Sequence, residues 1–361
     1  MNVDPSPYRA LTHAPGTRWI GVIDQRALPH ERVDVRIADV ETAALAIRDM
    51  WIRGAPLIGA VGAYGLAMAL DHDPRDAALD RAFALLDAAR PTAVNLRWAL
   101  SRVRTRVAAL PDTARAAAAW DEAERIAAED IDINHAIGRH GLPLLRAIAL
   151  RKAGTVNVLT HCNAGALATC GFGTATAPLF LAHAEGIALN VLVSETRPRL
   201  QGANLTAWEM REQGIAHALV ADGAAAMLMR RGDVDVVLVG ADRVTRNGDV
   251  CNKIGTYAKA LAAQDNGVPF YVALPSPTLD VALASGDEVP IEVRDEREML
   301  EITGRDASGA SMRVTIAPPG TPALNFAFDI TPARLVTGFI TERGVVGASE
   351  GALRQAFADR F

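Results

Sequence analysis

Three polar segments in the second half of the chain follow apolar runs and contain the side chains best suited to chemistry. Cys162 follows the run 155–159, the segment 194–204 follows the run 189–193, and Asp242 follows the run 234–239. If the three runs are neighbouring parallel strands, their polar endings meet at one edge of a sheet, where ligands bind. A thiol, a carboxylate, arginines, a glutamine and a lysine would then share one crevice, as in an enzyme site.

Each of these side chains also has a purely structural interpretation. A lone cysteine is usually a buried core residue, and an aspartate after a strand commonly caps a helix. Cys162 differs because the sequence changes there from strand-like to helix-like, and a helix N-terminus favours a thiolate. Cys170, within the predicted helix 166–184, is interpreted as core. Lys253 is either a surface charge or opens the helix-like run 254–259, where an anion would bind well.

The first half of the chain offers a second anion site at RGAP, residues 53–56. Pro56 suits the first turn of a helix, and the free backbone N–H groups there, together with Arg53, would hold a phosphate. The regularly spaced glycines that follow would equally allow close helix packing. Arg97 lies in the first turn of another predicted helix, where the helix dipole slightly disfavours a cation, so it serves either a phosphate or an exposed salt bridge.

The elements that must position these residues divide the chain into two parts, with a boundary near residue 145. Residues 17–25 and 33–37 read as antiparallel strands, and residues 40–150 show helical periodicity. Apolar runs then alternate with helical stretches, which predicts an α/β fold with a parallel sheet covered by helices on both faces. The predicted strands are 155–159, 189–193, 234–239 and 270–274, the crossover helices are 166–184, 206–218 and 254–263, and weaker strand candidates are 289–291 and 312–316.

Composition excludes several classes of protein. The chain has 361 residues, 50% of them hydrophobic, and a net charge of −5 without a basic run, so no nucleic-acid partner is expected. Three cysteines without a C-x-x-C pair, no signal-peptide pattern and no sufficiently long apolar stretch predict a soluble, cytoplasmic protein without a membrane partner. Histidine spacing predicts no metal site, and the absence of G-x-G-x-x-G and P-loop motifs predicts no nucleotide cofactor.

Seven segments, in order along the chain, resemble those of the methylthioribose-1-phosphate isomerases of the methionine salvage pathway. They are DQ with LP (24–29), RGAPLIG (53–59), NLR (95–97), THCNAGALAT (160–169), ETRPRLQGA (195–203), GADRV (240–244) and NGDVCNKIGT (247–256). The resemblance extends from about residue 17 to about residue 345. It departs at PIEVR (290–294), where the family has PIEER, and at Phe326, where a proline is common.

The resemblance implies a smaller, mainly helical N-terminal domain (1–145) with a short antiparallel sheet, a Rossmann-like catalytic domain (146–361) and a homodimer. In it, Cys162 and Asp242 match the family's catalytic pair. The residues that match its substrate contacts are Arg53, Gly54, Ala55, Arg97, Gln201, Asn252 and Lys253. No redox cofactor is implied, because the reaction is an internal isomerisation.

The implied reaction converts 5-methylthioribose 1-phosphate to 5-methylthioribulose 1-phosphate. Asp242 would protonate the ring oxygen to open the sugar, and Cys162 would assist the movement of hydrogen from C2 to C1, by proton transfer or by hydride shift. The same superfamily leaves two other substrates open, 5-deoxyribose 1-phosphate and ribose 1,5-bisphosphate. It also contains non-catalytic regulatory subunits of a translation-initiation exchange factor, which would have no need of a thiol–carboxylate pair.

Overall fold

The computed structural model describes residues 8–91 and 93–361, and its first element is a small antiparallel sheet. The sheet has the order β1 (Leu11–Thr12), β2 (Ile20–Ile23) and β3 (Asp34–Ile37). Ile20 of β2 pairs with Ile37 of β3, and both side chains are buried. The expected antiparallel pairing of the segments 17–25 and 33–37 is therefore confirmed.

Five helices follow in the part of the chain that the structure describes, as the periodicity of residues 40–150 predicts. They are α1 (Val40–Arg48), α2 (Ala55–His72), α3 (Asp76–Ala89), α4 (Val94–Val107) and α5 (Asp112–Lys152). Helix α2 is buried along most of its length and packs against α4 and α5. A Cβ on Gly59 would lie 2.8 Å from the carbonyl oxygen of Asn95, so the glycines of α2 do serve close packing. Helix α5 runs through the expected domain boundary at residues 145–146, and the division into two domains stays a prediction.

A seven-stranded sheet forms the core of the second half. Its order is β16-β15-β10-β7-β4-β5-β6, with all neighbours parallel except the terminal pair β15 and β16. Its strands are β4 (Val156–Thr160), β5 (Leu189–Ser194), β6 (His217–Val220), β7 (Val236–Val239), β10 (Phe270–Ala273), β15 (Gly338–Thr341) and β16 (Gly344–Val346). The helices beside it are α6 (Ala177–Ala184), α7 (Ala207–Glu212), α8 (Ala225–Arg230), α9 (Thr256–Asp265) and α11 (Glu350–Ala356). Strand β4 lies between β5 and β7, so the predicted α/β fold is confirmed and the three polar strand endings share one edge.

The predicted helix 166–184 is wrong over residues 166–176. A single 3₁₀ turn covers Ala166–Ala168, and the α-helix begins only at Ala177. Between them, the Thr169 hydroxyl oxygen accepts hydrogen bonds from the N–H groups of Gly171 and Gly173, at 3.2 and 3.1 Å. Such local side-chain bonds compete with the helical ladder. Cys170 is buried, as expected, but lies in this loop rather than in a helix.

Other predicted elements differ in extent. The helix expected at 206–218 is shorter, because a π-helical turn covers Gly202–Thr206 and the partly exposed edge strand β6 occupies the end of the segment. The strand expected at 289–291 is wrong, since that segment is irregular, and the isolated bridge nearby joins Val293 to Phe326. The weaker candidate at 312–316 is confirmed as β13 (Ser311–Thr315), paired with β12 (Glu301–Arg305) after the short helix α10 (Arg297–Leu300).

A second, four-stranded sheet has no counterpart in the sequence analysis. Its order is β11 (Leu279–Asp280), β8 (Arg243–Thr245), β9 (Val250–Lys253) and β14 (Phe328–Thr331). Lys253 therefore ends a strand, and α9 begins three residues later. No helix among the described residues is long and apolar enough to span a membrane.

Candidate active site

A cleft of about 720 Å³ opens between the start of α2, the end of β4 and the second sheet. A smaller recess of about 420 Å³ adjoins it and shares five of its lining residues. Those five are Arg53, Gly54, Ala55, Cys162 and Asp242. Gln201 and Lys253 line the larger part, and Asn252 lines the smaller one. The structure thus brings together eight of the residues that the resemblance selected.

The backbone of Cys162 is held in the left-handed region, with φ of 63°. Its N–H donates to the Thr196 hydroxyl oxygen at 2.8 Å, and its carbonyl oxygen accepts from the Thr206 hydroxyl at 2.6 Å. A non-glycine residue in this region is strained and persists only where the surroundings enforce it. The expected helix N-terminus beside the thiol is absent, since the next α-helix begins at Ala177. The two threonines, rather than a helix dipole, determine how the thiol is presented.

Asp242 directly precedes β8. No helix begins there, so the interpretation of Asp242 as a helix cap is wrong. Its N–H donates to the carbonyl oxygen of Cys251 at 3.0 Å. Within the described part of the chain, no hydrogen bond reaches its carboxylate. The Asp242 side chain is partly exposed. Desolvation raises its pKa, although the nearby cations Lys253, Arg53 and Arg90 act in the opposite direction. Such a carboxyl is suited to donating a proton.

Arg53 and Gly54 bring the start of α2 to the cleft. Gly54 is the N-cap of α2 with φ of 101°, and a Cβ there would lie 2.4 Å from the carbonyl oxygen of Ala168. Only glycine therefore allows this backbone to approach the loop after β4. The guanidinium of Arg53 donates to the side-chain and backbone oxygens of Asn163, at 2.5 and 2.7 Å. The backbone N–H groups of the helix start and the arginine together suit a phosphate.

Lys253 supplies a second cation and is itself buried. Its ammonium group donates to the carbonyl oxygen of Ala327 at 2.9 Å and lies 4.5 Å from the ring centre of Phe328. Desolvation lowers the pKa of Lys253, while nearby Cys162 and Asp242 oppose the shift. The lysine is thus held firmly beside the two candidate catalytic residues, where a bound anion would restore its charge.

Two amide side chains complete the polar lining of the cleft. Asn252 donates from its amide nitrogen to the Thr256 hydroxyl oxygen at 3.0 Å. The amide oxygen of Gln201 is buried and has no hydrogen-bond partner in the described part of the protein. A buried polar atom without a partner is costly, and a substrate hydroxyl would satisfy it.

Arg97 lies outside the cleft, and a different arginine takes its expected place. The Arg97 guanidinium is largely exposed and pairs with Asp87. Arg90, at the end of α3, lines the cleft with only 13% of its side chain exposed. Its Nε and Nη1 atoms have no partner among the described residues, and its Nη2 lies 3.5 Å from the Glu292 carboxylate.

Sequence reasoning missed Arg90 although a signal was present. Pro91 stops α3 directly after it, which places the arginine at a helix end, where functional side chains are common. The sequence alone does not show which of two nearby arginines faces inward. The structure shows that Arg97 pairs with Asp87 at the surface, whereas among the described residues Arg90 has only the 3.5 Å contact with Glu292.

The remaining lining of the larger cleft is mainly apolar. Arg243 belongs to it and is paired with Asp280 at 3.3 Å. The other residues are Met50, Ile58, Ala93, Cys251, Val289, Pro290 and Phe328. The cleft therefore combines four cations with a set of apolar residues, called here the apolar wall. A ligand that carries one anionic group and one apolar substituent matches this division.

Comparisons with known proteins agree in family and in fold. A model of the Initiation factor 2 subunit family matches residues 51–348. The methylthioribose-1-phosphate isomerase of Methylocella silvestris is 54% identical over 363 aligned positions, covering 100% of this chain and 99% of that protein. The protein of that name from Sinorhizobium medicae is 53% identical, with 100% of both chains covered.

Solved structures give the same picture. The 5-methylthioribose 1-phosphate isomerase from Pyrococcus horikoshii is similar with a TM-score of 0.85 and 38% identity, covering 99% of this chain and 98% of that one. A structure described as translation initiation factor eIF-2B, subunit delta, from A. fulgidus is similar with a TM-score of 0.78 and 35% identity, covering 96% and 98%.

Proposed function

The chain belongs to the Initiation factor 2 subunit family, and on that premise we propose that it isomerises 5-methylthioribose 1-phosphate to 5-methylthioribulose 1-phosphate in methionine salvage. The observation that carries the proposal is the meeting of Cys162 and Asp242 in one cleft with four buried or partly buried cations, Arg53, Arg90, Arg243 and Lys253. Full-length relatives named for this activity support it. A regulatory subunit would not require a thiol and a proton-donating carboxyl to face the same cavity.

Ring opening is the first step of the proposed mechanism. The anomeric oxygen of the substrate is esterified, so the bond between C1 and the ring oxygen must break before the sugar can isomerise. We assign the proton for the ring oxygen to Asp242, because desolvation raises the pKa of its carboxyl and favours the protonated form. The carboxylate that remains is then stabilised by the neighbouring cations.

Hydrogen transfer completes the proposed reaction. One hydrogen moves from C2 to C1, and the C2 hydroxyl loses its proton to become the carbonyl of the ketose. Cys162 lies at the cleft with Asp242 and would act either as the base in a proton transfer or by stabilising an electron-poor C1 during a hydride shift. The C2 hydroxyl proton returns to the Asp242 carboxylate and restores the acid, so the open-chain ketose is an isomer of the cyclic aldose and the step is balanced.

Cationic side chains of the cleft would hold the phosphate. Arg53, Lys253 and the backbone of Gly54 and Ala55 would contact it, as the sequence predicts, and Arg90 would take the part expected of Arg97. The two unpartnered nitrogens of Arg90 are buried donors that a phosphate oxygen would satisfy. Gln201 and Asn252 would orient sugar hydroxyl groups.

The apolar wall favours the methylthio sugar over a bisphosphate. Ribose 1,5-bisphosphate needs a second anion site. Met50, Ile58, Val289 and Phe328 offer no charge to a second phosphate, and the remaining cation of the lining, Arg243, is paired with Asp280 at 3.3 Å. The wall suits a thioether. It would also accept the methyl group of 5-deoxyribose 1-phosphate, so turnover must separate these two sugars.

The assay is a direct NMR measurement without coupling enzymes. The protein is mixed in D₂O with 5-methylthioribose 1-phosphate, and with 5-deoxyribose 1-phosphate and ribose 1,5-bisphosphate in parallel. We expect the ketose to form fastest from the methylthio sugar, and deuterium at C1 would identify proton transfer. No ketose from any of the three sugars, with folded protein, would refute the isomerase and favour a regulatory subunit.

The cytoplasmic location expected from the composition and the homodimer implied by the family resemblance are further parts of this proposal. Light scattering on the purified chain tests the assembly. A mass of about twice the 38.3 kDa chain is expected, and the mass of a single chain would contradict it.

A further inference from the structure

Among the described residues, Asn163 accepts the side-chain hydrogen bonds that hold the Arg53 guanidinium in place. Two nitrogens of the guanidinium donate to Asn163, one to the amide oxygen at 2.5 Å and one to the backbone carbonyl oxygen at 2.7 Å. Arg53 lines both parts of the cleft. The position and orientation of Asn163 therefore determine where along the cleft this cation lies.

The amide of Asn163 is in turn oriented by a buried carboxylate that the catalytic proposal does not use. Its amide nitrogen donates to Glu209 at 3.0 Å and to the Thr206 hydroxyl oxygen at 3.2 Å. A guanidinium only donates hydrogen bonds and a carboxylate only accepts them. Only one of the two amide orientations satisfies both neighbours, with the oxygen towards Arg53 and the nitrogen towards Glu209.

Glu209 is itself fixed in place. Its side chain is fully buried, and its two oxygens accept hydrogen bonds from the N–H groups of Ala166 and Leu167, each at 2.9 Å. A Cβ on Gly165 would lie 2.0 Å from the Glu209 carboxylate, so only glycine lets the carboxylate come so close to this turn. The carboxylate joins α7 to the loop that carries Cys162 and Asn163.

We propose that Glu209 is a positioning residue that orients the amide of Asn163 and thereby places the Arg53 guanidinium for the substrate phosphate. This inference rests on the proposed function, because it assigns Arg53 to the phosphate. Glu209 lies outside all of the motifs that carry the family resemblance and does not line the cleft. Its effect reaches the substrate only through Asn163 and Arg53.

The test is a double-mutant cycle between Glu209→Gln and Arg53→Lys, read as KM and kcat on 5-methylthioribose 1-phosphate. The glutamine has the same size but is uncharged and has one acceptor oxygen instead of two for the N–H groups of Asn163, Ala166 and Leu167, so it loosens the hold on Asn163. We expect KM to rise about 10-fold, equivalent to about 1.4 kcal/mol, with kcat changed much less. In the Arg53→Lys background the same substitution should change KM by less than about 2-fold, because the guanidinium that it positions is already gone.

Two further variants keep the outcome interpretable. Asn163→Ala retains the bonds of Glu209 to the turn and should raise KM as Glu209→Gln does, even if the latter folds poorly. Glu122→Gln is the matched control, since Glu122 is also a buried carboxylate, paired with Arg102 and Arg125 away from the cleft, and should leave KM unchanged. Additive effects of Glu209→Gln and Arg53→Lys, or an unchanged KM in Asn163→Ala, would overturn the inference.

Failure of this inference can be told apart from failure of the proposed function. If the wild-type protein isomerises none of the sugars, the proposed function is refuted, and phosphorus NMR of inorganic phosphate binding replaces KM. Weaker phosphate binding in both Glu209→Gln and Arg53→Lys would then still support the positioning role. Equal binding in Glu209→Gln and wild type would reject it.

Discussion

Asp222 and Asp242 each follow a parallel strand of the central sheet, β6 and β7 respectively, but their carboxylates lie in different surroundings. Asp222 accepts hydrogen bonds from the Ser194 hydroxyl at 2.6 Å and from the N–H groups of Thr196 and Arg197 at 2.9 and 2.7 Å. No hydrogen bond from the described residues reaches the carboxylate of Asp242. The carboxylate of Asp222 is therefore held by hydrogen bonds within the protein, whereas that of Asp242 lines the cleft and is available to a ligand.

The pKa values of the two groups move in opposite directions for this reason. Desolvation acts on both, but the hydrogen bonds from Ser194 and Arg197 and the nearby Lys259 outweigh it and lower the pKa of Asp222. Desolvation prevails at Asp242 and raises its pKa. Of these two carboxyl groups at one sheet edge, Asp222 is therefore suited to remain an anion and Asp242 is suited to donate a proton.

Asp222 lies in a cluster of charged and polar side chains that includes His161 and Lys259. His161 is buried, its Nε2 lies 2.8 Å from the carbonyl oxygen of Ile254, and burial lowers the pKa of the imidazole to about 3. A carbonyl only accepts, so Nε2 carries the proton of a neutral ring. Lys259 lies 3.7 Å from Asp222. Asp222 also accepts a hydrogen bond from the Thr196 N–H, and the Thr196 hydroxyl accepts one from the N–H of Cys162. His161 lines the smaller part of the cleft, so this cluster supports the backbone that carries Cys162.

The largest expected effect follows from replacing the groups that face the cleft. Asp242→Asn cannot supply the proton for the ring oxygen, and Cys162→Ser replaces the thiol, so each should lower kcat/KM at least ~10²-fold. Steady-state rates on 5-methylthioribose 1-phosphate measure this. In the wild type, kcat/KM should fall as pH rises through the raised pKa of Asp242, and Asp242→Asn should lack this limb. A near-wild-type rate in either variant removes that residue from the mechanism.

The stability of Asp242→Asn should move in the opposite direction to its activity. A carboxyl whose folded pKa lies above its unfolded value is destabilising once it ionises, so its contribution worsens as pH rises through the folded pKa. The asparagine removes this charge. Urea unfolding at pH 7 to 8 should find the variant at least as stable as the wild type, and a clear loss of stability there would mean that the carboxylate is engaged after all.

A smaller effect, on substrate binding, should separate Arg90 from Arg97. Arg90→Ala removes donors that are buried at the cleft and should raise KM about 10- to 100-fold, the scale of hydrogen bonds to a charged group. Arg97→Ala is the matched control and should leave KM within about 2-fold, because its guanidinium already pairs with Asp87 at the surface. The reverse pattern in steady-state kinetics would return the phosphate to Arg97.

These contrasts also show what the sequence can and cannot predict. The β-branched runs predict strands β4, β5, β7 and β10, and the shared edge of their polar endings follows from parallel pairing alone. The loop after β4 is not predictable in the same way, because Thr169 bonds to nearby N–H groups and replaces an alanine-rich helix by irregular backbone. The sequence also does not show that Arg97 pairs with Asp87 at the surface while Arg90 lines the cleft, because these placements depend on tertiary packing.

The smallest effect on turnover, and the largest on stability, is expected for Asp222→Asn. The substitution weakens hydrogen bonds from Ser194, Thr196 and Arg197, and we expect a loss of about 2 kcal/mol in the free energy of unfolding at pH 7. Turnover should fall by less than about 10-fold, since Asp222 reaches Cys162 only through Thr196.

The pH dependence of that loss distinguishes the fixed anion from the acid. The folded pKa of Asp222 lies below its unfolded value of about 3.9, so its contribution is fully present above that value and is lost as pH falls through the folded pKa. The stability difference between wild type and Asp222→Asn should therefore be constant from pH 8 to about 5 and shrink below 4. Urea unfolding across this range measures it. A stability difference that grows as pH falls would mean that folding raises the pKa of Asp222, as it raises the pKa of Asp242.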